Sequence, residues 1–138
     1  MIKTLKRNKK VLIIVVVVLL LAAAFAGGSY LLRVNRYQKT VLGLTYSDVD
    51  ISSIPNGTYV GECDVDFVKA KVRVVVADGA ISEITILEHK QERGASAERI
   101  VDTIVDQQRI DVDAITSATN SSKVLKKAVE NALTQPLK

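Results

Sequence analysis

The stretch VKAKVRVVVADGAISEITILEHK, residues 68–90, decides the fold. Val68, Ala70, Val72, Val74 and Val76 alternate with Lys69, Lys71 and Arg73. Successive side chains of a strand point to opposite sides, so a period of two with one charged face predicts a half-buried strand. Asp78-Gly79 is a residue pair favoured where two strands reverse tightly. The chain then returns as a second strand, with Ile84 and Ile86 on one side of Thr85. Working outward, Pro55-Asn56-Gly57 is a turn signal that opens the compact domain. Between that turn and Val68, the run from Thr58 to Phe67 is rich in Thr, Tyr, Val and Phe and reads as a further strand. The basic row Lys69, Lys71 and Arg73 reads as a solvated sheet face.

Past Gly94 the period changes. Ala97, Ile100, Val101, Ile104 and Val105 recur at helical spacing, with Glu98, Asp102 and Asp106 opposite. A second helical stripe follows at Val124, Leu125, Ala128, Val129, Ala132 and Leu133 and stops before Pro136. Strands followed by amphipathic helices predict an α+β domain, an antiparallel sheet of at least three strands with two helices packed on one face.

The amino-terminal third is of another kind. Val11 to Leu32 is apolar apart from Gly27, Gly28 and Ser29, and its 22 residues match the ~20 that a helix needs to cross a bilayer. Lys3, Lys6, Arg7, Lys9 and Lys10 precede it, which favours a cytoplasmic amino terminus and an extracytoplasmic remainder. Ala24-Phe25-Ala26 has the form of a signal-peptide cleavage site, but Tyr30, Leu31 and Leu32 prolong the apolar run and favour a retained anchor in membrane lipid. The expected organisation is a basic flank at 1–10, an anchor or signal at 11–32, a linker at 33–55 and a folded domain at 56–138. Removing the five flanking cations from 19 basic residues leaves 14 against 15 acids, so the domain offers no basic surface for nucleic acid. Cys63 is the single cysteine, which excludes an internal disulfide and reads as a small buried side chain.

The chemistry is concentrated in DAITSATNSSK, residues 113–123, just ahead of the last helix. A helix start has free N–H groups and a partial positive charge. One capping side chain suffices there, yet Thr116, Ser117, Thr119, Asn120, Ser121 and Ser122 are all available. Capping accounts for one or two of them. A phosphate held by free amides and hydroxyls would account for the rest, and Lys123 could add a counter-charge. No Gly-x-Gly loop, P-loop lysine pattern or metal-ligand spacing occurs; His89 between Glu88 and Glu92 reads as polar surface at a strand end.

The pattern Asp113-x-x-Thr116-Ser117-Ala118-Thr119, followed by Ser121-Ser122-Lys123, resembles the flavinylation signature of the FMN-binding domain family. That family includes domains of the sodium-pumping NADH:quinone reductase, the Rnf electron-transport complex and membrane-tethered extracellular flavoproteins. GTYVGE at 57–62 resembles its opening strand, ILEHKQERG at 86–94 its middle segment and KVLKKAVENAL at 123–133 its closing helix. The resemblance implies that a flavin transferase, using FAD and magnesium, attaches FMN through its phosphate to the hydroxyl of Thr119. Asp113, Thr116, Ser117 and Ala118 would complete the recognised sequence, Ser121 and Ser122 would lie close to the phosphate, and His89 would lie near the flavin ring. Ser117 stands where the family most often has Gly; if that Gly serves a positive φ or a close backbone approach, Ser carries a cost there.

The expected function is therefore that of a membrane-anchored, extracytoplasmic flavoprotein relaying electrons from a membrane donor to an external acceptor. The flavin does the chemistry and the protein supplies position and electrostatics. Two alternatives belong to other classes: a flavin-free interaction module of the same fold, and a small flavin-dependent reductase. The second is the weaker, since the sequence has no nicotinamide fingerprint.

Overall fold

The computed structural model describes residues 2–91 and 94–137, and the chain divides into two compact units, Met1–Gln38 and Lys39–Lys138. Helix α1 runs from Ile2 to Leu42. Within it, Asn8–Leu42 is long and apolar enough to cross a membrane, its most apolar stretch reaching a mean hydropathy of 3.0. The apolar side chains from Val11 to Leu32, among them Leu20, Phe25 and Leu32, are exposed. Such a surface suits lipid, where no water has to be ordered around it. The same description also fits an amino-terminal signal sequence.

The second unit is α+β, as the periodicities predict. Strands β1 (Gly57–Asp64), β2 (Lys69–Ala77) and β3 (Ala80–Lys90) form one antiparallel sheet in the order β1-β2-β3. Two helices follow, α2 (Ile100–Gln107) after a 3-10 turn at Ala95–Arg99, and α3 (Thr119–Thr134). The β2–β3 turn has positive φ at both Asp78 (55°) and Gly79 (73°), the geometry of a type I′ hairpin. Asn56 Oδ1 accepts from the Asp78 amide at 2.9 Å and ties this tip to the turn that opens the domain.

One correction falls on the first strand. β1 ends at Asp64 rather than running to Phe67. The Asp64 carboxylate accepts from the Asp66 amide at 2.9 Å, Asp66 takes φ 75°, and the Val65 amide closes onto the Val68 carbonyl at 3.0 Å. Aspartates compete for backbone amides in this way, so the two in DVDF make a turn despite the β-forming residues beside them.

The core lies between one sheet face and the helices. Ala70, Val72, Val74 and Val76 of β2 are buried, together with Ile81 and Ile84 of β3. Against them pack Ile100, Val101 and Ile104 of α2 and the whole apolar stripe of α3 from Val124 to Leu133. α3 approaches β1 tightly at Gly61, where any Cβ would overlap the Ala132 amide nitrogen and the Ala128 carbonyl. Three small residues in register bring helix backbone onto strand backbone. The other sheet face is solvated: Lys71 lies between Glu62 and Glu88, and Lys69 pairs with Glu88 at 3.4 Å.

The stretch between Lys39 and Pro55 also packs within this unit. Val41 and Ile51 are 1% and 6% exposed. The Tyr46 hydroxyl donates to the Lys123 carbonyl at 2.9 Å, the Ser47 amide to Glu130 at 3.2 Å, and Lys127 reaches the Thr45 carbonyl at 3.0 Å. These residues form a strap across α3.

Candidate functional site

The first turn of α3 is built by the residues just before it. The Ala118 amide bonds the Ile115 carbonyl at 3.0 Å, closing a turn whose third residue, Ser117, has φ 69°. A positive φ at that place is what a type II turn demands, and glycine meets it without steric cost. Ser122 Oγ accepts from the Ile115 amide at 3.0 Å and holds the turn against the helix. In this way the chain from Asp113 to Ser122 wraps round one helix end.

That end is open. The residue in the capping position is Ala118, and no side chain hydrogen-bonds there. Capping thus accounts for none of the hydroxyls at this terminus, and the first turn of α3 contains no acid to occupy its positive end. Asp113, Thr116, Ser117 and Thr119 are exposed, with Thr119 as the first residue of the helix. Ala118, Ser121 and Ser122 are buried beneath them. A group with phosphate oxygens fits this arrangement, because the unbonded amides and the dipole both favour an anion.

Gly94 crosses directly over this turn: a Cβ on it would overlap Ser121 Oγ. The chain leaving β3 therefore passes against α3 on its way to the 3-10 turn. His89, near the end of β3, is not polar surface as its neighbours suggest. Its side chain is 2% exposed, with Nδ1 3.0 Å from Glu98 Oε1. Nε2 is buried and, among the described residues, has no hydrogen-bond partner, an arrangement that costs about 1–3 kcal/mol when nothing fills it.

The cause of this burial is a register shift. Val72 faces Ile86 and Lys71 faces Glu88, leaving Leu87 as an extra residue in β3. Strict alternation from Ile84 and Ile86 would put Glu88 inward and His89 outward. The bulge reverses the phase, and His89 takes the inward place opposite Ala70. Glu92, the second acid once set beside His89, lies outside the described residues. No group of three or more metal-ligating side chains occurs among the described residues.

Two further charged groups on α3 were not marked by any sequence pattern. Lys126 is buried with Nζ 2.9 Å from Asp111 Oδ1, 2.8 Å from the Val112 carbonyl and 4.3 Å from the centre of the Tyr46 ring. Burial, with the Asp111 charge second, holds the Tyr46 phenol well above its usual range. Glu130 is buried and accepts from Ser47 and Lys127. Burial likewise pushes the Cys63 thiol up to about 11, so it is an inert packing group at neutral pH.

Comparison with known proteins now bears on this geometry. Residues 67–134 match the FMN-binding domain family. This region belongs to that family. The match takes in β2, β3, both helices and the whole Asp113–Ser122 turn, and begins after β1. An uncharacterized protein of Treponema pallidum (strain Nichols) is 28% identical over 88 residues, which cover 62% of this chain and 24% of that protein. The aligned part is thus about a quarter of that relative's length. No solved structure matches.

Proposed function

We propose that this protein is a membrane-anchored flavoprotein whose domain lies outside the cytoplasm, carries FMN covalently on Thr119, and relays electrons between a membrane donor and an external acceptor. The observation that carries the reading is the exposed Thr119 hydroxyl at an uncapped helix start, reached through a left-handed turn at Ser117. In that position the hydroxyl is accessible to a transferase, and the neighbouring amides can bond the phosphate oxygens of the product. Asp113, Thr116, Ser117 and Ala118 form the recognised turn. Ser122 braces it from beneath, with Ser121 packed under Gly94. When bound, FMN supplies the electron-carrying chemistry. The chain's own residues anchor its phosphate, exclude water on the sheet side and present His89 Nε2.

The partners that fit are a flavin transferase drawing on FAD and magnesium for maturation, a membrane-bound donor, and the lipid around α1. The five basic residues before the apolar run favour this orientation.

The test is an intact mass of the full chain, co-expressed with a flavin transferase of known activity. The expected result is a gain equal to FMN minus one water, absent from Thr119→Ala. An unmodified mass, with a control domain flavinylated in the same cells, overturns the covalent assignment.

A further inference from the structure

His89 Nε2 is the buried side-chain nitrogen that, among the described residues, has no partner. Its other nitrogen faces Glu98 at 3.0 Å. A carboxylate only accepts, so Nδ1 carries a proton and, in the neutral ring, Nε2 is a bare lone pair. One more proton makes both nitrogens donors. The ring itself is 2% exposed, whereas the Glu98 side chain is 50% exposed. The arrangement is a base turned inward, held by an acid that reaches solvent.

Among the described residues the charges around it are few. Glu98, from the 3-10 turn, is the titratable group in contact with the ring. Opposite on β2 stands Ala70, with Cys63 of β1 beyond it in the same row. Glu88 and Lys90 flank His89 on β3 but point to the other face, where Glu88 pairs with Lys69 and Lys90 donates to the Asp66 carbonyl. The first turn of α3 meets the chain at Gly94 through Ser121 and carries no acid, and Lys123 follows it.

We propose that His89 is a redox-linked proton site. It takes a proton from solvent onto Nε2 when two electrons arrive on a flavin held at the first turn of α3, and returns it when they leave. This rests on the flavin reading above. The electrons come from a low-potential donor and stay on the cofactor, the proton comes from water, and no bond of the protein other than N–H forms or breaks. Added negative charge close to a buried imidazole favours the charged ring, because the low dielectric strengthens the attraction. Glu98 is the positioning residue: its charge keeps the proton on Nδ1 and directs the second proton to Nε2.

His89 is the only histidine in the sequence, so nitrogen-15 histidine labelling of the full chain yields one imidazole. The chain is loaded by co-expression with a flavin transferase, and its mass is read first. Ring nitrogen shifts are then titrated in detergent micelles, oxidised and after reduction with dithionite. The proton affinity of His89 is expected to rise at least about tenfold on reduction. The flavin potential should then carry one extra proton per two electrons, a slope steeper by about 30 mV per pH unit between the two midpoints. Glu98→Gln should lower the proton affinity in both states, and His89→Gln should remove the extra slope. Equal midpoints in the oxidised and reduced wild-type chain overturn the proposal without touching the flavin reading. A chain whose mass shows no FMN overturns both, and is recognised before the titration begins.

Discussion

Ser117 holds φ 69° in the turn that delivers Thr119 to the head of α3. For an L-residue with a Cβ the left-handed region costs roughly 1–2 kcal/mol, and a hydroxyl side chain does not remove that steric clash. Glycine would relieve it, at the expense of about 0.5–1 kcal/mol of extra freedom in the unfolded chain. Ser117→Gly is therefore expected to stabilise the domain by about 0.5–1 kcal/mol, measured as a shift in the urea midpoint at constant slope. Ser117→Val should move the midpoint the other way, since a β-branched side chain is least tolerant of positive φ. The cost of Ser at this site was foreseeable from the resemblance, which puts glycine here. Whether a positive φ or a close backbone approach called for that glycine was not, because a positive φ leaves no trace in a residue type that seldom adopts it.

At the scale of elements, the contact between β1 and α3 depends on Gly61. A methyl group there meets helix backbone, the Ala132 nitrogen and the Ala128 carbonyl, and neither can swing aside as a side chain could. Gly61→Ala must push α3 off the sheet, and overpacking of this kind costs typically 1–3 kcal/mol. The expected loss is at the upper end of that range, read by thermal or denaturant unfolding, with Gly61→Val failing to give a folded domain. Gly57→Ala is the control: its nearest neighbours are atoms of the Tyr59 side chain, at 3.5 Å or more, and it should be nearly silent. Periodicity revealed the strands and helices because each buries one face, and the stripe from Val124 to Leu133 is buried throughout. It could not reveal His89. The bulge at Leu87 breaks the alternation just before it, and a bulge depends on pairing with a partner strand rather than on local composition. The strand end read as DVDF failed for the opposite reason, since its β-forming residues outweighed two aspartates that bond backbone.

At the scale of the whole molecule, the segment from Lys39 to Pro55, which begins in the last turn of α1, is part of what makes α3 stable. Lys126 and Glu130 are buried on that helix, and a buried charge without partners is strongly unfavourable. The Tyr46 ring covers the Lys126 ammonium, and the Ser47 amide bonds the Glu130 carboxylate. Removing the strap leaves Lys126 with Asp111 and the Val112 carbonyl, and Glu130 with Lys127 alone among these partners. It also removes Val41 and Ile51, each worth about 1.5–3 kcal/mol when fully buried. Against a total stability of only about 5–15 kcal/mol for a domain, those losses together decide whether it folds. A chain beginning at Lys39 is therefore expected to unfold cooperatively, whereas one beginning at Asn56, where turn chemistry alone would start the domain, should show no cooperative transition. Full-length chain carrying Tyr46→Phe separates the contributions: it keeps the ring over Lys126 and loses only the bond to the Lys123 carbonyl, a deficit of about 1 kcal/mol. If the two truncated chains unfold at the same denaturant concentration, the strap is packing without energetic consequence, and the open end of α3 is held by the sheet alone.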